Sequence, residues 1–542
     1  MNSLRCAVVL IALTTFTTTI KAQLPGGATL TGNFEVNGQY YKPDSAINAP
    51  EVPEKILDNS FMLLNLTWGN FRAGVRFESY QNPLLGFSTL YAGSGVPYRF
   101  ASYTTENLDV TAGNFYEQFG NGLVLRSYEE RQLGIDNAMD GVRVVYSPVK
   151  GVRLKGLIGY QRYYWERGTG IVRGADGEIQ LNEAFPSLES KKTRITLGGS
   201  VVSKYQKDED PFYRLPENVS NVAGRTTINY GKFTFDGEYA YKYNDPSDDN
   251  GYIYKPGQAI YLNGAYNRKG LGMRLTAKWI DNMSFRSDRN AKLNDLSINY
   301  LPAISKQYTY RLSTLYPYAT QPNGESAYSG EIYYLVKAGS KLGGKYGTNI
   351  SINGSSTTSI KKNPVDNDTL GYSTPFMSSG DNVYYQDFNI EFNRKLSKKS
   401  KIIVSYIYQV YDKEIIEQEE GAQITAHTAV LDWTYKITTK KSIRFELQHL
   451  YTEQERKSWA MALAEYAISP NWSFAIFDEY NYGNDDPDRR FHYYNFSGVY
   501  TRGGTRISAA YVRQRAGLLC VGGVCRLVPA SNGINLTITS RF

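Results

Sequence analysis

The side chains that most often do chemistry are scarce in this chain. Its three histidines, His427, His449 and His492, have no short metal-ligand spacing between them, and neither an HExxH pattern nor a Cys/His cluster occurs. Nucleophilic catalysis needs a Ser or Thr beside a His, with a third group to orient it. Ser442 and Ser458 flank His449 in sequence. Strand alternation, however, puts Ser442 on the face opposite His449, and there is no GxSxG elbow. The histidines therefore read as interface or lumen side chains. No catalytic residue, no metal ligand and no cofactor is expected, and the chain does not read as an enzyme.

Three other groupings carry weaker signals. Cys520 and Cys525 are separated by Val-Gly-Gly-Val, a spacing that lets the sulfurs meet. In an oxidising compartment their default is a small structural disulfide. The surrounding Leu518, Leu519, Val521 and Val524 make a docking or redox-active tip the alternative. Acidic tips at Asp208–Asp210, at Asp245 with Asp248 and Asp249, and at Asp485, Asp486 and Asp488 have the composition of divalent-cation sites, yet no EF-hand pattern. Solvated acidic loops explain them as well. Asp44-Ser45-Ala46 and Asp368-Thr369-Leu370 have the form of short O-glycosylation acceptors, a signal of low specificity.

The termini and composition say where such residues are placed. Arg5 supplies a positive start, Cys6–Ile20 an apolar, threonine-rich stretch, and Ala22 a small residue before Gln23. This predicts a secretory signal over residues 1–22, with export to the periplasm and cleavage after Ala22. Cys6 lies too early to be a lipidation site. Removing Arg5 and Lys21 lowers the net charge from +8 to +6, and no basic block suggests nucleic acid. No helix-length apolar run follows the signal, which excludes transmembrane helices and leaves a transmembrane β-barrel open. Tyr (46) is twice as common as Phe (23), and Tyr suits both interface girdles and a polar lumen.

The elements are strands. Ile534, Leu536, Ile538 and Phe542 alternate with Asn535, Thr537, Thr539 and Arg541, a period-two pattern ending on a terminal aromatic. Phe542 is therefore the expected signal for barrel-assembly machinery. Val142, Val144 and Tyr146, then Met273, Leu275 and Trp279, then Phe445 and Leu447, repeat the alternation. Short turns at Pro148–Gly151, Arg268–Gly270, Ser469–Asn471 and Gly503–Gly504 alternate with long polar stretches such as Thr357–Asp381 and Lys413–Gly421. The reading is an all-β, antiparallel transmembrane β-barrel of roughly 22–26 strands, preferably in the upper half of that range, with short periplasmic turns and long extracellular loops. It forms a single domain over residues 23–542. One strand between Arg167 and Glu189 is poorly marked, because Asp176-Gly177 is also a hairpin turn signal.

A barrel this wide encloses water unless something fills it. Residues 114–133 are the candidate: they set Glu117, Arg126, Glu129, Glu130 and Arg131 among aromatic and glycine residues, as an inward-folded constriction loop would. An exposed loop with solvated charges is the alternative.

The strings TGNFEVNGQYY at Thr31–Tyr41, INAPEVPEKI at Ile47–Ile56, GNFYEQFGNGLVLRSYEER at Gly113–Arg131, IDNMSFRSDR at Ile280–Arg289, YPYATQPNGE at Tyr316–Glu325 and CVGGVCRLVPASNG at Cys520–Gly533 are distinctive. They resemble an uncharacterised family of Bacteroidetes-type outer-membrane β-barrel proteins that carries only a domain-of-unknown-function label. The resemblance implies the fold and the outer membrane, and supplies no substrate or site residues. The expected function is a channel or transporter for small polar solutes, selecting through inward charges and tyrosines. No separate plug domain is expected, because strands begin almost at the mature N-terminus. The alternative is a scaffold anchoring surface or periplasmic partner proteins, with a surface enzyme third. The lipid bilayer, lipopolysaccharide and the assembly machinery are the expected partners, with no nucleic acid.

Overall fold

Side-chain alternation decides this architecture, because consecutive residues of a strand face opposite sides of the sheet. In strand Lys441–Tyr451, Phe445, Leu447 and His449 are exposed while Glu446, Gln448 and Leu450 are buried. The same inversion of a soluble protein's polarity recurs around the molecule, with Leu275, Ile158, Val404 and Leu536 on the outside. These positions come from a computed structural model that describes residues 22–24, 26–365 and 369–542. Almost all of the expected signal sequence (residues 1–22), and Asp368 of the second glycosylation string, lie outside the described residues.

Each strand pairs antiparallel with its successor, from Ala28–Tyr41 to Ser531–Arg541, and those two strands pair with each other. Asn33 lies opposite Arg541 and Tyr41 opposite Gly533 at that seam. The main sheet has 25 strands. Ala22–Leu24 is only a short arm paired to the start of Ala28–Tyr41, and the remaining 24 strands close the ring. Phe542 locks the seam, its carbonyl accepting from Gly32 N at 2.8 Å and its amide donating to Gly32 O at 3.0 Å.

The poorly marked region is one full wall strand, Glu166–Gln180, paired on both sides. Asp176-Gly177 makes no turn: Asp176 faces inward, bonded to Ser200 and Arg225. A register shift between Tyr160 and Arg162 is a β-bulge, and it turns both Gln161 and Arg162 into the interior.

The outer wall carries aromatic rims at both ends. Trp68, Tyr103, Tyr230 and Trp472 are exposed at the short-turn end, and Tyr406, Tyr451 and Tyr482 at the other. An apolar band between two aromatic rims is the surface a bilayer requires. The chain is a transmembrane β-barrel of the outer-membrane type. Turns such as 231–232, 269–270 and 503–504 close the periplasmic end, and long loops such as 116–138, 282–324 and 515–530 leave the extracellular end. Two exceptions at the periplasmic end are 337–347 and the helical turns Leu181–Ala184 and Pro186–Glu189.

Candidate functional site

Three of the long loops turn back into the barrel and fill much of its lumen. The first, 116–138, is compact because two small hairpins fold within it, Gln118–Phe119 with Leu125–Arg126 and Glu129–Glu130 with Ile135–Asp136. It descends far toward the periplasmic end, where Glu117 pairs with Lys155 at 2.7 Å and Arg143 at 3.4 Å. Phe119 is fully buried, and the wall makes room for it at Gly174, where a Cβ would lie 2.9 Å from the ring. Asn121 N donates to Glu238 at 2.7 Å.

The remaining charges of this loop are placed as follows. Arg126 stacks between Tyr128 and Tyr300, 4.6 and 4.0 Å from their ring centroids. Glu129 meets Arg76 at 3.1 Å and Arg131 at 2.7 Å, and Arg131 also reaches Glu35 of the first strand at 2.6 Å. Glu130 is half-buried and accepts from the Gln132 amide. Behind them Asp136 sits between Arg76 and Arg162, with Glu78 bridging the same two guanidinium groups. Burial pushes the Asp136 carboxyl up, but Arg162 and Arg76 outweigh it and hold the group below the ordinary carboxylate value.

The alternation pattern passes over the second inserted segment, residues 282–324. It leaves the wall after Leu271–Asp281, crosses the lumen and returns to Glu325–Val336. Its backbone is satisfied by the inner wall: Lys242 donates to Ser284 O and Lys278 to Pro302 O, both at 2.5 Å. Farther across, Gln448 accepts from Leu312 N at 2.9 Å, and Gln409 donates to the Ser313 and Tyr316 carbonyls. Tyr308 donates to Asp387 at 2.6 Å, and Arg311 pairs with Glu479. Gly170 of the wall is required here, since a side-chain carbon would collide with the Ser287 carbonyl. The two segments join where Arg126 N donates to Ile298 O and Tyr300 N to Gly122 O. Phe119, Leu123, Met283, Phe285, Ile298 and wall residues such as Val172 form an apolar core there.

The third inserted segment holds the cysteines. Gly517–Val521 and Val524–Val528 form a hairpin in which Cys520 lies opposite Cys525, joined by a disulfide. The tip does not project outward. Ala303 N and the Tyr300 hydroxyl both donate to Gly522 O, Thr320 N donates to Gly523 O, and Asn294 donates to Cys525 O. Arg526 ties the hairpin to the first loop through Gln132 O at 2.8 Å and lies 4.3 Å from the Phe87 ring centroid. With no carboxylate beside it among the described residues, burial draws the Arg526 guanidinium down to about 10.

Between these segments and the first and last strands lies a partly open cavity of about 810 Å³, reached from the wall by Glu35, Asn37, Asn59, Asn535 and Thr537.

The other singled-out groups lie elsewhere. His427 is hydrogen-bonded to Tyr406, His449 to Tyr482 and His492 to Asp478, all around the extracellular aromatic rim. Asp245 pairs with Lys204, Asp249 with Arg286 and Asp485 with Lys457. Among the described residues, no three His, Cys, Asp or Glu are grouped to hold a metal ion.

A model for a family of unknown function, DUF6029, matches residues 1–542. No curated protein matches the chain. Among solved structures, the P pilus usher (PapC) translocation pore is similar at a TM-score of 0.47 and 10% identity, over 94% of this chain and 99% of that one. The siderophore receptor PirA from Pseudomonas aeruginosa gives 0.40 and 10%, over 95% and 80%. Acinetobacter baumannii OccAB3 gives 0.32 and 9%, over 95% and 98%.

Proposed function

We propose that this chain, which belongs to the DUF6029 family of unknown function, is an outer-membrane transporter for small polar solutes whose lumen is shut at rest by its own loops. The observation that carries the reading is the cavity of about 810 Å³ between plug and wall. An anchor needs no interior of this width, because about eight strands already close around packed side chains. Here 24 strands enclose a lumen that three loops fill incompletely.

The seam beside the cavity combines apolar packing, with Leu312, Tyr316 and Tyr318 against Tyr385, Tyr411, Leu450 and Trp459, with polar contacts from Gln409, Gln448, Glu479, Arg311 and Arg515 and from backbone carbonyls. Water can replace such partners at a modest net cost of about 1 kcal/mol per hydrogen bond. The apolar packing around Phe119 and Val172 holds the opposite side of the plug to the wall. The disulfide hairpin, held to the other two segments through main-chain hydrogen bonds and Arg526, is therefore assigned as the moving part, and the first loop as the fixed part.

Liposome swelling tests the reading. Vesicles carrying the chain with residues 517–528 replaced by a short Gly-Ser turn should swell in a pentose or glycine solution, and vesicles carrying the parent chain should swell far less. Absence of swelling in both, with insertion verified by protease protection, would favour a closed anchor.

A further inference from the structure

Five cations line the lumen cavity: Arg131, Lys306, Arg311, Arg515 and Arg526. Among the described residues, three carboxylates pair with them. Arg131 pairs with Glu35 and Glu129, while Arg311 and Arg515 share the single, fully buried Glu479. Lys306 and Arg526 have no carboxylate within ion-pair distance among the described residues. Lys306 donates instead to the Asn389 side chain at 2.7 Å, and Arg526 to main-chain carbonyls. Asp387 feels the Lys306 charge without pairing with it; it is bonded to the Tyr308 and Ser355 hydroxyls and does not line the cavity. A concave site with low-dielectric walls and surplus positive charge concentrates anions.

Two further features make it a built site. Ser313 lines the cavity, is 1% exposed, and its hydroxyl has no hydrogen-bond partner among the described residues; a buried polar group left so calls for a partner from the cavity. The rest of the lining is mixed: Asn37, Asn59, Gln307, Asn535 and Thr537 supply polar groups, and Phe61, Leu85, Phe87, Tyr308, Leu518 and Val521 an apolar and aromatic surface. A volume of about 810 Å³ falls in the range of about 300–1,000 Å³ usual for small-molecule sites.

We propose that this cavity binds an organic anion, a carboxylate on an apolar or aromatic body, with the carboxylate drawn by the charges of Lys306 and Arg526 and the aromatic and aliphatic part of the lining holding the body. The proposal rests on the transporter reading and names its substrate class. Lys306 comes from the crossing segment and Arg526 from the disulfide hairpin, so both cations sit on the plug rather than on the wall.

Equilibrium dialysis of radiolabelled phenylacetate against the detergent-solubilised chain tests this, with protein-free micelles as background. Saturable binding to one site is expected. Competition by neutral phenylacetamide should be at least about tenfold weaker, and the K306Q/R526Q chain should bind at least about tenfold more weakly, a difference of about 1.4 kcal/mol. Unchanged heat-modifiable gel mobility would show that the variant barrel is folded. Binding no greater than in empty micelles, equal competition by the amide, or inorganic phosphate competing as well as phenylacetate would overturn the proposal. Dialysis is independent of swelling. Binding without swelling of the plug-released chain would keep the site and remove transport, and swelling without binding would do the reverse.

Discussion

The Tyr300 hydroxyl donates to the Gly522 carbonyl at 2.6 Å, so the segment crossing the lumen is fastened to the tip of the disulfide hairpin. The same Tyr300 ring stacks on Arg126 of the first loop. One residue therefore touches all three inserted segments, and the plug is a single body made of loops that enter from different parts of the wall.

The hairpin's shape depends on Cys520–Cys525, which closes a loop with a sequence separation of 5. A crosslink this short contributes about 2 kcal/mol through the unfolded chain, against an extensive barrel. The C520S/C525S chain should still fold, with faster amide exchange confined to 517–528 and its contacts at 300–320. Unchanged exchange there would mean that the hairpin holds its shape without the bond.

Glu479→Gln leaves the largely buried Arg515, and the more exposed Arg311, without their shared carboxylate. Removing one partner of a buried ion pair costs about 3–5 kcal/mol, and here the cost falls on the plug seam. The folded variant should gain tryptic cuts after Arg311 and Arg515. Resistance equal to that of the parent would show that this shared contact does not hold the seam.

Acid should loosen the first loop through Asp136. Its carboxyl is depressed below the ordinary value of 3.8, so it binds its proton more weakly in the folded chain than in the unfolded one. The stability it contributes is present above the unfolded value and is lost as pH falls through the lower, folded value. Tyrosine fluorescence or exchange at 116–138 should therefore change only below pH 3.8, and Asp136→Asn should remove that transition. A transition near neutrality would contradict the assignment.

On the lipid face, Leu447 is exposed midway along its strand while the next residue, Gln448, is buried in the lumen. Leu447→Arg should cost about 2–4 kcal/mol of folding stability in vesicles, the cost of arginine near the bilayer midplane. Denaturant titration in phospholipid vesicles reads this directly, and a cost near zero would place Leu447 outside the hydrocarbon.

The fold was legible wherever the outer wall alone sets the pattern, as in Phe445-Glu446-Leu447-Gln448, because lipid demands an apolar residue at every second position. Legibility fails where the plug touches the wall. In Glu166–Gln180 the inward positions include Gly170, Val172 and Gly174 while Arg173 is exposed outside, so polarity no longer separates the faces and Asp176-Gly177 mimics a turn. Residues 114–133 drew attention by their charge among glycines, though sequence alone left an exposed loop equally open. Nothing comparable marked 282–324. Its carbonyls and its Arg311 are satisfied by residues distant in sequence, such as Gln409, Gln448 and Glu479, and such contacts leave no local period.

Single-channel recording in a planar bilayer tests the central claim most directly, that loops of this barrel close its lumen. The parent chain, verified as inserted, should be almost silent, and replacing 517–528 by a short turn, or making Glu479→Gln, should give steady openings. Large, steady conductance from the parent chain, unchanged in both variants, would contradict the account.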